Sequence, residues 1–517
     1  MTIREEFYRL DQDRSYALYR KRECSSFTIP SLLPYEGKSI HTDLPVPFSM
    51  LPAEGTNALA SRITSVVFPL NGQSIFELLI DSPVAPQGRD DTELAASLAR
   101  LETRVMDELA PTNLRSAVHL AIKHAIVVGD CVVHMDDNLN FRVFRFDQFV
   151  VRRKHEGDWF ELILCEAVIP DEEPNLPKGG TPNPSSPPYV YRSAHGEDWE
   201  ALYTKVTKLP NGKVEVVQEF RDEEIGRKVH DVSPYFPVRW GGVAGEPYGV
   251  SLVEDTMGDI RALDALAAAL LDGVMLNAEY RWGVNPAGIT DIEDLKRSIN
   301  GDFVPATPGD VFPLQFQNAA QVQATFQALA HREQVVGRRF LMNSAVQPQG
   351  ERVTARQVSL LAQELEGQLG GVLSMIAREL QEPVLRRVLY VMSRQLADNG
   401  QPKLPREIVD QINKAGGFVK MRIRAGLEIL NREAEREKLD AAIERMRNLP
   451  PEALAVLNWT AIARDWWQSM GLETEGRVKT EEQLQQEQQA AQQQAMAQQA
   501  AMMGMQAGMN QPPEENA

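Results

Sequence analysis

The sequence predicts an α+β fold that is predominantly helical. Three observations carry this. Alternating, β-rich segments gather in the first half, long apolar stripes of helical period dominate from residue 251 onward, and prolines and glycines concentrate between the two kinds of segment. With 517 residues and 43% hydrophobic content the chain can bury substantial cores, and its length suggests two to four domains. Cys24, Cys131 and Cys165 are widely spaced and odd in number, which argues against a disulfide framework and suits a reducing compartment. The first residues are charged and amphipathic, with no apolar core bounded by a cleavage site, so no secretory signal is expected. The most apolar window, Leu263 to Leu276, is interrupted by Asp264 and Asp272, whereas a membrane helix needs about 20 largely apolar residues, so no membrane association is expected.

Taken in order, Arg4 to Glu23 is helical by pattern, and Cys24 to Pro52 is broken into extended pieces by Pro30, Pro34, Pro45, Pro47 and Pro52. Thr56 to Phe68 is a helix, and Asp91 to Val128 holds two more around Pro111. Cys131 to Met135, Phe141 to Phe146 and Phe160 to Val168 have the alternation and β-branched content of strands. Pro170 to Pro188 is a proline-rich surface loop or linker whose composition cannot pack a core. Tyr189 to Val206 and Lys213 to Phe220 form a hairpin system, closed by the turn-rich Trp240 to Gly249.

Ser251 to Ala278 then changes character: Ile260, Leu263, Ala267, Leu270 and Val274 step by three or four along one helical face. A helix of that length extends roughly 42 Å at about 1.5 Å per residue. Glu254, Asp255, Asp259, Asp264 and Asp272 outweigh Arg261, so its polar face is acidic. Glu279 to Gln317 is a compact module punctuated by Pro286, Pro305, Pro308 and Pro313, with a short helix at Asp291 to Asn300. Asn318 to Ala345 returns as a helix, giving two antiparallel helices joined by a tip. A loop, Val346 to Val353, leads into a long helix with Val358, Leu361, Leu365, Leu369, Val372, Ile376 and Leu380 on one face. Gly367, Gly370 and Gly371 should let that helix bend, and Pro383 adds a second kink. Phe418 to Ile423 is a strand that would rejoin the earlier sheet, and helices follow at Leu427 to Arg447, Pro451 to Val456 and Ile462 to Met470. The tail from Thr480 is rich in glutamine, alanine and methionine; it is either a helix stabilised by neighbouring copies or disordered.

The formal charge of -18 argues against simple nucleic-acid coating, which relies on basic patches. It leaves DNA open as a passing cargo, since many phosphate contacts would hinder sliding. There is no GxxxxGK[ST] loop and no GxSxG elbow. His119 and His124, five apart, and His134 beside Asp136 and Asp137 do not reproduce a zinc-ligand pattern and are read as core or surface residues. Asp136 and Asp137 read as a turn with Asn138. No catalytic residue, metal site or cofactor is assigned.

Several stretches together carry a resemblance: FTIPSLLP at Phe27 to Pro34, NALASRI at Asn57 to Ile63, GEPYG at Gly245 to Gly249, VNPAGIT at Val284 to Thr290, GDFV at Gly301 to Val304, and FLMNSAVQPQGERVTA at Phe340 to Ala355. In that order, on a helix, tip, helix and loop arrangement, the chain resembles the portal, or head-to-tail connector, family of short-tailed double-stranded DNA phages of the T7 type. The resemblance implies a ring, typically of twelve subunits, at one capsid vertex of the virion, assembled in the host cytoplasm around a channel for the genome. It implies a wing over 1–250, stem helices at 251–278 and 318–345, a clip at 279–317, a tunnel loop at 346–353, a kinked helix and wing return strand over 354–430, a crown over 431–479 and a C-terminal barrel or tail over 480–517.

Partners implied are double-stranded DNA passing non-specifically, the terminase large subunit, a tail adaptor, the major capsid and scaffolding proteins and internal core proteins. Gln347, Gln349 and Arg352 would face the DNA from the loop, repeated by symmetry. Arg332, Arg338 and Arg339 would either contact DNA or pair with the acidic first stem helix. Asn285, Asp291, Lys296 and Arg297 would present the clip to terminase or adaptor. Without the resemblance the loop reads as an ordinary helix-to-helix connector, and two other classes stand beside the portal reading: a helical oligomeric scaffold that never meets DNA, and an enzyme with a non-local carboxylate site in the N-terminal region.

Overall fold

The computed structural model describes residues 2–35, 44–68, 75–80, 91–169, 200–278, 282–313, 319–342, 367, 369–396, 403–404 and 419–423. The chain divides into two compact units, Met1–Val353 with Leu360–Gly426, and Thr354–Ser359 with Leu427–Ala517; every described residue belongs to the first. The segment 346–353, expected as a loop, the proline-rich stretch, the helices expected beyond residue 426 and the tail all lie outside the described residues.

Two short helices open the chain, α1 (Ile3–Asp13) and α2 (Ser15–Ser26), where the pattern predicts one. Thr2 and Glu5 form a reciprocal capping box at the start of α1. The break falls at Arg14, whose buried guanidinium donates to Asp11 and to the Phe146 carbonyl, stacked over the Phe146 ring. Helix α3 (Leu51–Val67) begins five residues before the expected Thr56. Pro52, which reads as a breaker, sits in its first turn, where a missing N–H leaves no hydrogen bond unmade. Strand β1 (Phe76–Ile80), α4 (Asp91–Leu109) and α5 (Leu114–Val127) follow, with α5 contributing a nearly continuous buried face.

A three-stranded antiparallel sheet contains β2 (Asp130–Met135) and β3 (Phe141–Phe144) and is completed by β9 (Tyr235–Arg239), in the order β3-β2-β9. The second sheet has five strands in sequence order: β4 (Phe149–Arg153), β5 (Trp159–Val168), β6 (Glu200–Lys208), β7 (Val214–Phe220) and β8 (Glu223–His230). β5 and β6 pair from Glu161↔Thr207 to Val168↔Glu200, so the proline-rich stretch bridges two hydrogen-bonded neighbours. β8 escapes the sequence pattern because its turn is atypical: Arg221 (φ 53°) and Asp222 (φ 68°) both take left-handed backbone, which a two-residue hairpin usually reserves for Asn and Gly. Arg221 donates twice to Glu200, tying the turn to the start of β6. Helix α1 lies on one face of this sheet, where Phe7 packs with Val150 of β4, Ile163 and Cys165 of β5 and Tyr203 of β6.

Helix α6 (Leu252–Ala278) leaves this body, and α8 (Ala319–Arg339) runs back antiparallel to it: Asp259 pairs with Arg332, while Gly273 lies against Val322. Between them lie β10 (Trp282–Val284), the one-turn-and-a-half α7 (Ile292–Arg297) and β11 (Val311–Pro313), with β10 antiparallel to β11. Helix α8 stops at Arg339 rather than at Ala345. Leu341 adopts φ 59°, the Met342 amide donates back to the Gly337 carbonyl, and Arg62 donates to the Leu341 carbonyl. Phe340 is fully buried there, over a glycine whose added Cβ would meet its ring at 2.7 Å.

Helical residues 369–376 continue through a π-turn, Ala377–Gln381, into α9 (Glu382–Arg394). Gly370 and Gly371 lie in α-helical backbone, and the irregularity stands directly ahead of Pro383. The last described strand is β12 (Val419–Ile423), which pairs with β1 from Phe76↔Ile423 to Ile80↔Val419. The expectation that it rejoins the earlier sheet is thereby corrected: it forms a separate two-stranded ribbon with β1, a strand the sequence pattern did not announce.

Candidate functional site

The feature the rest of the fold positions is the projecting helix pair with its tip. The root of α6 is fixed by a buried ion pair. Lys21 Nζ, on α2, donates to Asp130 at 2.9 Å, to the Val128 carbonyl at 2.5 Å and to the Gly249 carbonyl at 2.8 Å. Asp130 in turn accepts the Gly249 amide on both oxygens, at 2.9 and 3.0 Å. Both side chains are almost wholly out of water, so each charge is answered by the other and by backbone dipoles. This explains GEPYG: a Cβ on Gly249 would come within 2.8 Å of the Gly241 carbonyl and 3.0 Å of the Gly129 carbonyl. Two residues on, Ser251 Oγ accepts the Glu254 amide and caps α6.

Along α6 the apolar face steps through Val253, Met257, Ile260 and Leu263, all buried, then Ala267, and on through Leu271, Val274 and Met275, which are 50%, 49% and 59% exposed. The sequence keeps one apolar stripe for the whole helix, while the subunit covers only its first half. α8 mirrors this: Val336 is buried near the body and Phe326, farther out, is 54% exposed.

Charge on the pair is largely satisfied within the chain. Glu254 pairs with Arg20, Arg261 with Glu23, Asp259 with Arg332, and Asp264 accepts the Ser49 amide at 3.0 Å. Arg332 thus takes the ion-pair option, on the same chain. Arg338 and Arg339 are exposed at the inner end of α8, Arg338 donating to the Gln334 carbonyl at 3.3 Å. Asp255 and Asp272 are exposed.

The tip is organised around Asp310. Its carboxylate accepts from the Ile289 amide and Thr290 Oγ1, both at 3.1 Å, and its carbonyl accepts the Asn285 amide at 2.8 Å. Burial works against the charged form, but the hydrogen bonds from Thr290, Thr307 and Ile289 prevail and hold the carboxyl below its usual pKa. Gly288 is obligatory at this point, since a Cβ would fall 2.3 Å from Asp310 Oδ1. VNPAGIT is therefore a turn folded around a distant aspartate. Asn285 accepts the Ala287 amide within it, and Asp291 caps α7 by accepting the Glu293 amide. Lys296 and Arg297 are exposed, Arg297 in a loose 3.6 Å pair with Glu293. Phe303 is completely exposed, and Trp282, Ile289, Ile292 and Ile299 are at least half so.

Gln347, Gln349 and Arg352 lie outside the described residues, as does the loop that carries them. Gly367, Gly370 and Gly371 belong to the helix described above. His124 is buried and His134 half-buried, and loss of solvent pushes their pKa values down, to about 3 and about 4, so both are neutral near pH 7. Asp136 accepts the Asn138 and Asn140 amides in a tight turn, while Asp137 pairs with Arg387 and Lys228. Among the described residues no group of three or more metal-ligating side chains occurs. Also among them, no helix is long and apolar enough to cross a membrane. Lys21, Asp130, Asp310 and Glu379 are the structural hubs that sequence pattern missed; each acts through partners remote in the chain, and no local spacing signals them.

A family model described as "Bacteriophage head to tail connecting protein" matches residues 1–168 and 213–478. The portal protein of Enterobacteria phage T3 is 30% identical over 484 residues, 90% of this chain and 86% of that protein. The portal protein of Escherichia phage T7 is 30% identical over 492 residues, 91% and 87% respectively. That of Enterobacteria phage SP6 is 26% identical over 462 residues, covering 87% and 85%. Among solved structures, the neck of an empty gene-transfer-agent particle aligns over 78% of this chain and 88% of its own at 12% identity, with a TM-score of 0.35, a likeness on which no argument rests.

Proposed function

The chain belongs to the bacteriophage head-to-tail connecting protein family and is a phage portal protein, and from that premise we propose how it is built to work. Copies assemble as a ring, twelve being the expected number, at one capsid vertex. The projecting helices α6 and α8 form the stem around a central channel, the β10–α7–β11 module is the clip, and residues 346–353 are the tunnel loop. Residues 1–250 with the 419–423 strand make the wing, and residues 431–479 and 480–517 the crown and C-terminal barrel or tail.

The observation that carries this reading is the apolar stripe of α6, buried from Val253 to Leu263 and bare from Leu271 to Met275. A single subunit gains nothing from three exposed aliphatic side chains on one face. A neighbouring copy that covers them removes apolar surface from water at roughly 25 cal/mol per Å². Repetition of one such heterologous contact forms a ring when its rotation closes on itself. The intrachain pairs of Glu254, Asp259 and Arg261 spare the stem from collecting phosphate contacts, which suits DNA that must slide.

In this reading DNA passes through without base readout, packaged by the terminase motor, retained, and released through the tail adaptor, with capsid, scaffolding and internal core proteins around the ring. The chain carries out no chemical step; nucleotide hydrolysis belongs to the motor. Gln347, Gln349 and Arg352 would line the constriction. Native mass measurement of the purified protein tests the assembly: a closed oligomer of many subunits is expected, and a monomer at micromolar concentration contradicts it. Arg352→Ala should leave assembly intact and lower DNA retention in packaged heads; retention equal to wild type contradicts the loop's role.

A further inference from the structure

The helix that follows the candidate loop is fastened to the body at a buried ionic joint ahead of Pro383. Pro383 has no N–H to offer the Glu379 carbonyl four residues back, and its ring crowds that carbonyl. The backbone widens into the π-turn Ala377–Gln381 at this place. The turn carries Glu379, whose carboxylate accepts from the Arg239 amide at 2.9 Å, from Arg239 Nε at 3.1 Å and Nη2 at 2.7 Å, and from Arg153 Nη1 at 3.2 Å. Both arginines also donate to the Gly157 carbonyl, at 3.1 and 3.4 Å. Beside them, Arg378 pairs with Asp158 at 3.0 Å. Three elements therefore meet at one carboxylate: the end of β9, the β4–β5 hairpin and the helix. The side chains of Arg153, Arg239 and Glu379 are only 3%, 7% and 12% exposed, so without the carboxylate two neighbouring cations would be left unanswered out of water.

The two sides of this joint are held differently. Downstream, Gln381 donates to the Val67 carbonyl at 2.8 Å, Arg387 reaches the Val232 carbonyl and Asp137, and Tyr390 and Arg394 both donate to Asp231 at 2.9 Å. Upstream, residues 369–376 carry one polar side chain, Ser374, and rest on the body through buried Leu373 and Ile376. Apolar contacts permit sliding and tilting; a multiply bonded carboxylate does not.

We propose that Glu379 is a positioning residue, a fulcrum that fixes the direction in which the upstream helix leaves the body while α9 stays bolted. The consequence for DNA rests on the portal reading, because that helix follows the segment 346–353. The test is Glu379→Gln in the full-length assembled protein, read by amide exchange over 369–381 and over 384–394. Exchange in 369–381 should accelerate at least about tenfold while α9 stays within about twofold of wild type. Unchanged exchange in 369–381, or equal acceleration on both sides, overturns the fulcrum. Should Glu379→Gln fail to fold, Arg153→Met, which keeps all three Arg239 hydrogen bonds to Glu379, should accelerate 369–381 by about threefold and leave α9 unchanged; no difference overturns the proposal. Rings with altered exchange but full DNA retention would overturn the positioning role and leave the portal reading standing. Absence of wild-type rings would overturn the portal reading and leave the exchange test independent.

Discussion

The body and the projecting helix pair solve the burial of polar and apolar surface in opposite ways. In the body, charges that leave water are met by the same chain: Lys21 with Asp130, Arg153 and Arg239 with Glu379, Arg387 with Asp137. Along the outer half of α6 and α8 and across the tip, Leu271, Val274, Met275, Phe326 and Phe303 stand open. A body that completes itself keeps its shape alone. On the proposed reading, the projection is finished only when copies stand side by side.

The comparison breaks most sharply at Lys21. Lys21→Ala leaves the Asp130 carboxylate without its counter-ion and two backbone carbonyls without their donor, and loss of one member of a buried pair costs about 3–5 kcal/mol. Denaturant unfolding should show that loss in the body, and a change below about 1 kcal/mol would mean that water replaces the lysine.

Acid should act on the body next. His124 and His134 are held neutral when folded, with pKa values of about 3 and about 4, and burial likewise lowers His230 to about 4. Each regains its ordinary value near 6.5 when unfolded, so the unfolded chain binds more protons below that pH. Stability is therefore fully present above about pH 6.5 and falls as pH drops toward 4. His124→Gln should flatten that slope in unfolding measured across the range; an unchanged slope would show that other groups dominate.

At the tip the effect should be local. Asp310→Ala removes the acceptor for Ile289 and Thr290, so exchange across β10 and β11 should quicken while the global unfolding midpoint stays put. A matching fall in the midpoint would mean that tip and body unfold together. The smallest effect on stability should come from Leu271→Ser with Met275→Ser. Exposed substitutions usually stay within about 0.5 kcal/mol, so the monomer's unfolding should be nearly unchanged while assembly is lost. Normal assembly in that variant would place the subunit contact elsewhere.

How much of this was legible in the sequence follows from distance along the chain. The helix pair announced itself, because its apolar period repeats over some seven turns and needs no partner to be seen. Pro52 misled, since a breaker in a helix interior is harmless in a first turn. β8 was hidden by an Arg-Asp turn whose left-handed backbone is held by Glu200, and the β1–β12 ribbon joins strands more than three hundred residues apart. The joints were hidden most completely: Lys21 reaches 109 residues to Asp130, and Arg153 reaches 226 to Glu379. An isolated charge in a sequence looks the same whether it faces water or a buried counter-ion. The family resemblance supplied what periodicity could not, carried by short stretches such as GEPYG and VNPAGIT. The structure gives these a physical reason, in the crowding of Gly249 between two carbonyls and of Gly288 against Asp310.

Electron microscopy of the purified full-length protein tests the central claim most directly. The account predicts rings with an open central hole and a countable rotational symmetry, twelvefold by expectation, with the α6–α8 stem around the hole. Compact single subunits, or assemblies without a channel, would contradict it.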